Sequence, residues 1–94
     1  RPPYGARTPD VLQWLAGQGL TTVLWDVDPC DWASPGRDAI ADGVAAGVRP
    51  GSVVLMHDGG GDRWQTVAAL PAVLAGLLGQ GYELVPVARM LTPR

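Results

Sequence analysis

Residues 52–61 limit the chain more than any other stretch: Ser52-Val53-Val54-Leu55-Met56-His57-Asp58-Gly59-Gly60-Gly61. Four apolar residues run from Val53 to Met56 and stop at the chain's one histidine. An unbroken, valine-rich run bounded by turn signals is the pattern of a strand covered on both faces, the habit of parallel sheets. Side chains alternate along a strand, so Val53, Leu55 and His57 share one face. Open α/β sheets and βα barrels place ligands beyond the carboxyl ends of their strands. His57 therefore stands at a strand mouth with Leu55 beside it on the same face, which is a catalytic posture.

The remainder of the chain alternates around that run. Residues 1–5 carry two prolines and a glycine and read as loop. Thr8 is placed to cap a helix whose first residue is Pro9 and whose first turn holds Asp10. Val11, Leu12, Leu15 and Ala16 then give a helical apolar stripe that stops at residues 17–19. Residues 20–27, with Thr21, Thr22 and Val23, predict a strand. A second helix is expected over 37–47 through Ile40, Val44 and Ala45. A third is expected over 63–78 through Val67, Leu70, Leu74, Leu77 and Leu78. Pro71 falls inside it, so that helix should kink there or become regular only from there. Residues 82–87 predict a last strand, and Met90 and Leu91 one closing turn. Strict alternation with connections of this length implies α/β architecture with parallel strands and right-handed crossovers. The opening loop looks like the exit from a further strand, which predicts the second half of a longer domain.

Several function classes are excluded or weakened by composition. A net charge of -2, with all seven basic residues scattered arginines, argues against a nucleic-acid partner, whose phosphates need many clustered cations. No apolar run approaches the ~18 residues of a membrane span, and the first residues do not resemble a signal peptide. The single cysteine, Cys30, cannot close an internal disulfide and reads as a passive thiol. Gly59 to Gly61 before a helix invites a phosphate-loop reading. Neither the following lysine nor the spaced glycine fingerprint is present. Asp26 and Asp28 read as structural, and Trp25 as core.

Three stretches meet at one edge of this arrangement: Arg1-Pro2-Pro3-Tyr4-Gly5, Asp28-Pro29-Cys30-Asp31-Trp32 and Leu55-Met56-His57-Asp58. Their types and order resemble the third, fourth and fifth motifs of the polysaccharide deacetylases, the NodB-homology domains of carbohydrate esterase family four. Gly59-Gly60-Gly61-Asp62-Arg63, Gln65-Thr66, Ala69-Leu70-Pro71 and Gly81-Tyr82 resemble that family's continuation. The resemblance covers essentially the whole chain. It implies the C-terminal half of a distorted, incomplete (β/α) barrel over residues 1–94, in a metal-dependent hydrolase that removes acetyl groups from N- or O-acetylated polysaccharide such as chitin oligomers, peptidoglycan or xylan.

The resemblance also implies a role for each matching residue. Arg1 would orient the catalytic-base aspartate, and the backbone N–H of Tyr4 would hold the tetrahedral oxyanion. Pro3 would stiffen that wall, Trp32 would form the opposite wall, and Leu55 would line the pocket for the acetyl methyl. Asp31 would pair with His57, and His57 would protonate the departing amine or alkoxide. A carboxylate partner favours the imidazolium form that a general acid needs. The family's first two motifs, which bring the base aspartate and the metal-binding histidines, have no counterpart here. The divalent metal, zinc by resemblance, would then be held by an N-terminal segment of the same domain, with no ligand from this chain. The alternative is a catalytically inactive carbohydrate-binding or interaction module of the same fold. The resemblance implies an extracytoplasmic location.

Overall fold

The computed structural model describes residues 1–91. Four α-helices and two single 3-10 turns account for its regular structure. Helix α1, Pro9–Gly17, begins as its sequence requires: the Thr8 hydroxyl accepts the N–H of Val11 at 3.2 Å, and Pro9 occupies the first turn. Helix α2, Arg37–Gly47, has Asp38 in its first turn and buries Ile40 and Val44 completely. Helix α3, Trp64–Gly79, starts where Asp62 Oδ1 accepts the N–H of Trp64.

Pro71 lies inside α3, and the helix is regular for seven residues before it rather than only after it. The donor that Pro71 lacks would have met the carbonyl of Val67, on the exposed side of the helix (Val67 is 61 % accessible), where solvent offsets the loss. The helix starting at Val87 takes two expected features together. Residues 82–86 run without regular structure, Pro86 caps a short α4, Val87–Met90, and the closing turn follows.

The expected three-stranded parallel ladder is absent from the described residues. What forms is one parallel bridge, Val27 to Val54, in which Val27 N–H donates to Val53 O at 3.2 Å and Leu55 N–H to Val27 O at 2.9 Å. The direction is that of a parallel pair; its extension is blocked at both ends by side chains. Upstream, Val53 N–H donates to Asp26 Oδ1 at 2.6 Å and Ser52 Oγ to Asp26 Oδ2 at 3.0 Å, so the next ladder donor is already taken. Downstream, Pro29 has no N–H to give to Leu55, and His57 N–H donates to Asp31 Oδ2 at 2.6 Å instead. Asp26 thus does the structural work its position suggests. Its carboxyl is held below the usual carboxylate range chiefly by the Val53 N–H, against the burial that raises it, with help from Ser52 and Arg49.

Helices α2 and α3 pack on each other and make the core. Val44, Val73 and Leu77 form its centre, with Ala41, Val48, Val54, Met56 and Tyr82 against it. Val54 and Met56 therefore face the helix pair, while Leu55, between them, is buried outside that cluster. Many large apolar side chains stay exposed. Helix α1 buries no residue, and α3 carries a second stripe of Val67, Leu70, Leu74 and Leu78 at helical spacing that stays open. No helix among the described residues is long and apolar enough to cross a membrane.

The opening stretch docks on Trp25, a half-buried side chain. Pro3–Gly5 forms a 3-10 turn in which Gly5 is buried at φ +67°. A Cβ on Gly5 would lie 2.6 Å from Trp25 Cη2. Gly5→Ala therefore costs about 2 kcal/mol through overpacking and the left-handed backbone together. A urea titration followed by tryptophan fluorescence measures it, and an unshifted midpoint would mean that Trp25 swings aside freely.

Candidate functional site

The site begins where the parallel pair ends. Asp28 Oδ1 accepts the N–H of Cys30 at 2.8 Å, starting a tight turn. Cys30 and Ser34 then adopt left-handed backbone, at φ +56° and +52°, on either side of the 3-10 turn Asp31–Ala33. Neither is a glycine, so each costs roughly 1–2 kcal/mol. The strain has a clear product: Asp31 is turned inward to 2 % accessibility while Trp32, next to it, stays 55 % accessible.

Asp31 is the hub of the site. Its Oδ1 lies 2.9 Å from His57 Nδ1, and its Oδ2 accepts from His57 N–H at 2.6 Å and from Thr66 Oγ1 at 3.0 Å. A buried carboxylate without donors would be expensive, and here no buried side-chain oxygen or nitrogen among the described residues lacks a partner. Burial raises the Asp31 carboxyl, but the hydrogen bonds from the His57 ring, the His57 N–H and Thr66, with the His57 charge, outweigh it and hold the group below the usual range. Near neutral pH Asp31 is therefore an acceptor only, which makes Nδ1 of His57 the donor of that pair. Nε2 is left over, on a ring whose side chain keeps 28 % of its accessibility. An imidazole fixed in one tautomer, with its far nitrogen open, is equipped to exchange a proton with a bound molecule.

Arg63 ties the surroundings together. Its Nε donates to the carbonyl of Gly59 at 2.9 Å, one terminal nitrogen to Gly60 at 3.4 Å, and the other to Trp32 at 3.3 Å. The glycine loop after His57 is thereby stapled to the Trp32 segment. Gln65 Oε1 accepts the N–H of Gly36 at 2.6 Å, which joins the start of α3 to the start of α2.

The structure brings His57, Asp31 and Thr66 into one cluster, with Trp32 linked to it by Arg63 and Leu55 buried two residues from His57. It does not connect the opening stretch to that cluster. Arg1 lies over the Trp25 ring, 6.0 Å from its centroid, and Pro3 and Tyr4 are exposed on their turn, Tyr4 at φ +58°. No hydrogen bond or ion pair joins Arg1, Pro3 or Tyr4 to Asp31 or His57 among the described residues. A groove of about 1070 Å³ between residues 48–56, α3 and residues 82–90 is lined by neither Asp31 nor His57. Thr66 and Arg63 carry contacts that reading the sequence for chemistry misses. Their stretch is visible, but nothing in its spacing says that a threonine on α3 meets an aspartate 35 residues earlier.

Among the described residues no three His, Cys, Asp or Glu side chains converge. The residues present do not fit a divalent-metal site.

No family model matches the chain. It is 47 % identical over 92 residues to a chitooligosaccharide deacetylase of Sinorhizobium fredii, covering 87 % of this chain and 43 % of the relative. It is 45 % identical over 93 residues to a peptidoglycan-N-acetylglucosamine deacetylase of Bacillus cereus, covering 97 % of this chain and 44 % of that protein. Among solved structures, it is similar to a family-four pseudoenzyme of Bacillus anthracis, with TM-score 0.87, 30 % identity, and coverage of 97 % of this chain and 31 % of that one. Likenesses of this extent, running over nearly the whole chain, place it among the carbohydrate esterases. It belongs to carbohydrate esterase family four, the polysaccharide deacetylases. The chain spans less than half the length of the curated relatives it matches.

Proposed function

We propose that this chain supplies the proton-donating side of a deacetylase site acting on N- or O-acetylated polysaccharide. The observation that carries the reading is the Asp31–His57 pair: a buried carboxylate grips both the ring and the backbone of the histidine and leaves Nε2 open. In this reading Nε2–H of the protonated ring gives its proton to the departing amine or alkoxide, and Asp31 stabilises the imidazolium before that transfer. Trp32 forms one wall of the groove, and Leu55 lines the pocket for the acetyl methyl. Arg1, Pro3 and the N–H of Tyr4 take their parts only when the rest of the domain is in place, with Arg1 orienting a base aspartate and Tyr4 holding the oxyanion.

The remainder of the domain, N-terminal to these residues, contributes the base and the divalent metal, zinc by family resemblance. Together the two parts make a distorted (β/α) barrel of which residues 1–94 are the C-terminal portion. The open faces of α1 and α3 support this division, since both carry apolar side chains that the chain itself leaves uncovered. The shorter coverage of the relatives supports it too. Chitin oligomers and peptidoglycan are the leading substrates because the similar proteins are named for them. Acetylated xylan is the further candidate. An extracytoplasmic location goes with such polymers.

The test is acetate release from N-acetylated chitin oligomers and from peptidoglycan by the complete domain loaded with zinc. Release above the rate of an empty-vector preparation supports the reading. Tight oligosaccharide binding with no acetate from any substrate would instead favour an inactive binding module, a second reading prompted by the similarity to a pseudoenzyme.

A further inference from the structure

We infer that Thr66 is a positioning residue of this site: its hydroxyl occupies Asp31 Oδ2 and so reserves Oδ1 for His57 Nδ1–H, which presents Nε2 outward. The inference rests on the deacetylase reading for its effect on turnover, and on geometry alone for its effect on the ring. Asp31 receives three donors, and two of them belong to His57 itself. Those two belong to one residue and move together with the loop that follows it, so by themselves they hold the carboxylate, whose terminal torsion is soft, only as firmly as that loop is held. Thr66 is the one donor that comes from a different element. It sits in the first turn of α3, the helix packed on α2, and is 6 % accessible.

The choice of residue suits the task. A threonine is stiff at χ1, and within a helix its hydroxyl ordinarily bonds back to a carbonyl of the preceding turn. Here it donates to Asp31 instead, across 35 positions of sequence. The helix thus supplies a fixed point against which the carboxylate, and through it the imidazole, is aligned. With the hydroxyl absent, Oδ2 keeps one donor, the carboxylate plane can swing away from the ring, and the Nδ1–H bond to Oδ1 weakens. The neutral imidazole, held less firmly to donating from Nδ1, then populates both tautomers, and Nε2 is not always the bare nitrogen that takes up the proton it later donates. The other charged group stapled to this cluster is Arg63, whose donors are directed at the carbonyls of Gly59, Gly60 and Trp32. Asp58 and Asp62 lie on the exposed side of that loop.

The experiment compares Thr66→Val and Thr66→Ser in the complete, zinc-loaded domain. Thr66→Val removes the hydroxyl at nearly constant volume. It is expected to lower kcat about tenfold, as loss of a hydrogen bond to a charged group does, while KM changes less than twofold. Thr66→Ser restores most of the rate. On the same samples, histidine-selective ¹⁵N NMR reads the tautomer of His57, its signals assigned by difference from His57→Gln. The parent shows a protonated Nδ1 and a bare Nε2 in the neutral ring, and Thr66→Val shows a mixture. If valine fails to fold, Thr66→Ala is read in the same two ways. An unchanged tautomer and kcat in the hydroxyl-free variants, with His57→Gln inactive, would overturn the inference and leave the deacetylase reading standing. A tautomer that shifts in an enzyme indifferent to His57→Gln would instead overturn the deacetylase reading.

Discussion

His57→Gln, made in the complete domain, is expected to lower acetate release by about 10³-fold, the usual weight of a positioned general acid. Glutamine is of similar size and polar, and the backbone N–H to Asp31 Oδ2 is untouched, so the fold survives the change. What is lost is the imidazole that hands the proton to the leaving group in the proposed reaction. KM should hold within a few-fold, since Trp32 and Leu55, the proposed walls of the groove, are untouched. Steady-state assays against a chitin oligomer, with the melting temperature as control, decide the point. Activity within tenfold of the parent would take the proton-donor role away from His57.

Asp31→Asn is the second large effect, and it is read in stability as well as rate. The parent carboxylate accepts three donors in a site with 2 % accessibility, and an amide nitrogen there faces donors with a donor of its own. The expected loss is about 2–3 kcal/mol at neutral pH. The sign of its pH dependence follows from the lowered Asp31 pKa. A carboxyl whose folded value is depressed stabilises fully above its unfolded value, near pH 4, and that contribution vanishes as pH falls through the folded value. Urea titrations from pH 7 downward should therefore show the gap between parent and Asp31→Asn narrowing below about pH 4. Both proteins keep a residual acid dependence, because Asp26 is depressed as well. A gap that stays constant to pH 3 would mean that the charge on Asp31 contributes nothing.

The helices were legible because their signals are local. Thr8 before Pro9, the stripe Ile40–Val44, and the stripe Val67, Leu70, Leu74, Leu77 and Leu78 each state a helical period within a few residues, although in α3 the apolar face that is buried is Ala69, Val73 and Leu77 and only Leu77 belongs to both. The three strands were not. Val53 to Met56 has the composition of a buried strand, yet pairing depends on what the neighbouring segment offers at each position. Asp26, Pro29 and Asp31 offer side-chain oxygens or nothing where ladder groups would stand. Composition could not show that, because an aspartate after a strand reads equally as a turn former. In the site, the place of His57 followed from the abrupt end of its apolar run. Thr66 did not, since its partner is set by how α3 lies across the turn at Asp31. The left-handed backbone at Cys30 and Ser34, which aims Asp31 inward, had no glycine or asparagine to announce it.

The two aspartates that cut the ladder short also decide how the chain avoids folding wrongly. A strand pair joined by a single bridge could slide by one residue, which would turn every side chain to the opposite face. Asp26 holds Val53 and Ser52 at one end, and Asp31 holds His57 at the other. A slipped pairing would separate Asp31 from both His57 donors while it remained buried, an error of several kcal/mol. Alignment of the two segments is therefore enforced by electrostatics at their ends rather than by a run of backbone bonds between them. A lock of this kind closes only where the histidine loop meets the Asp31 turn, so the contacts that fix the pairing are the same ones that build the site.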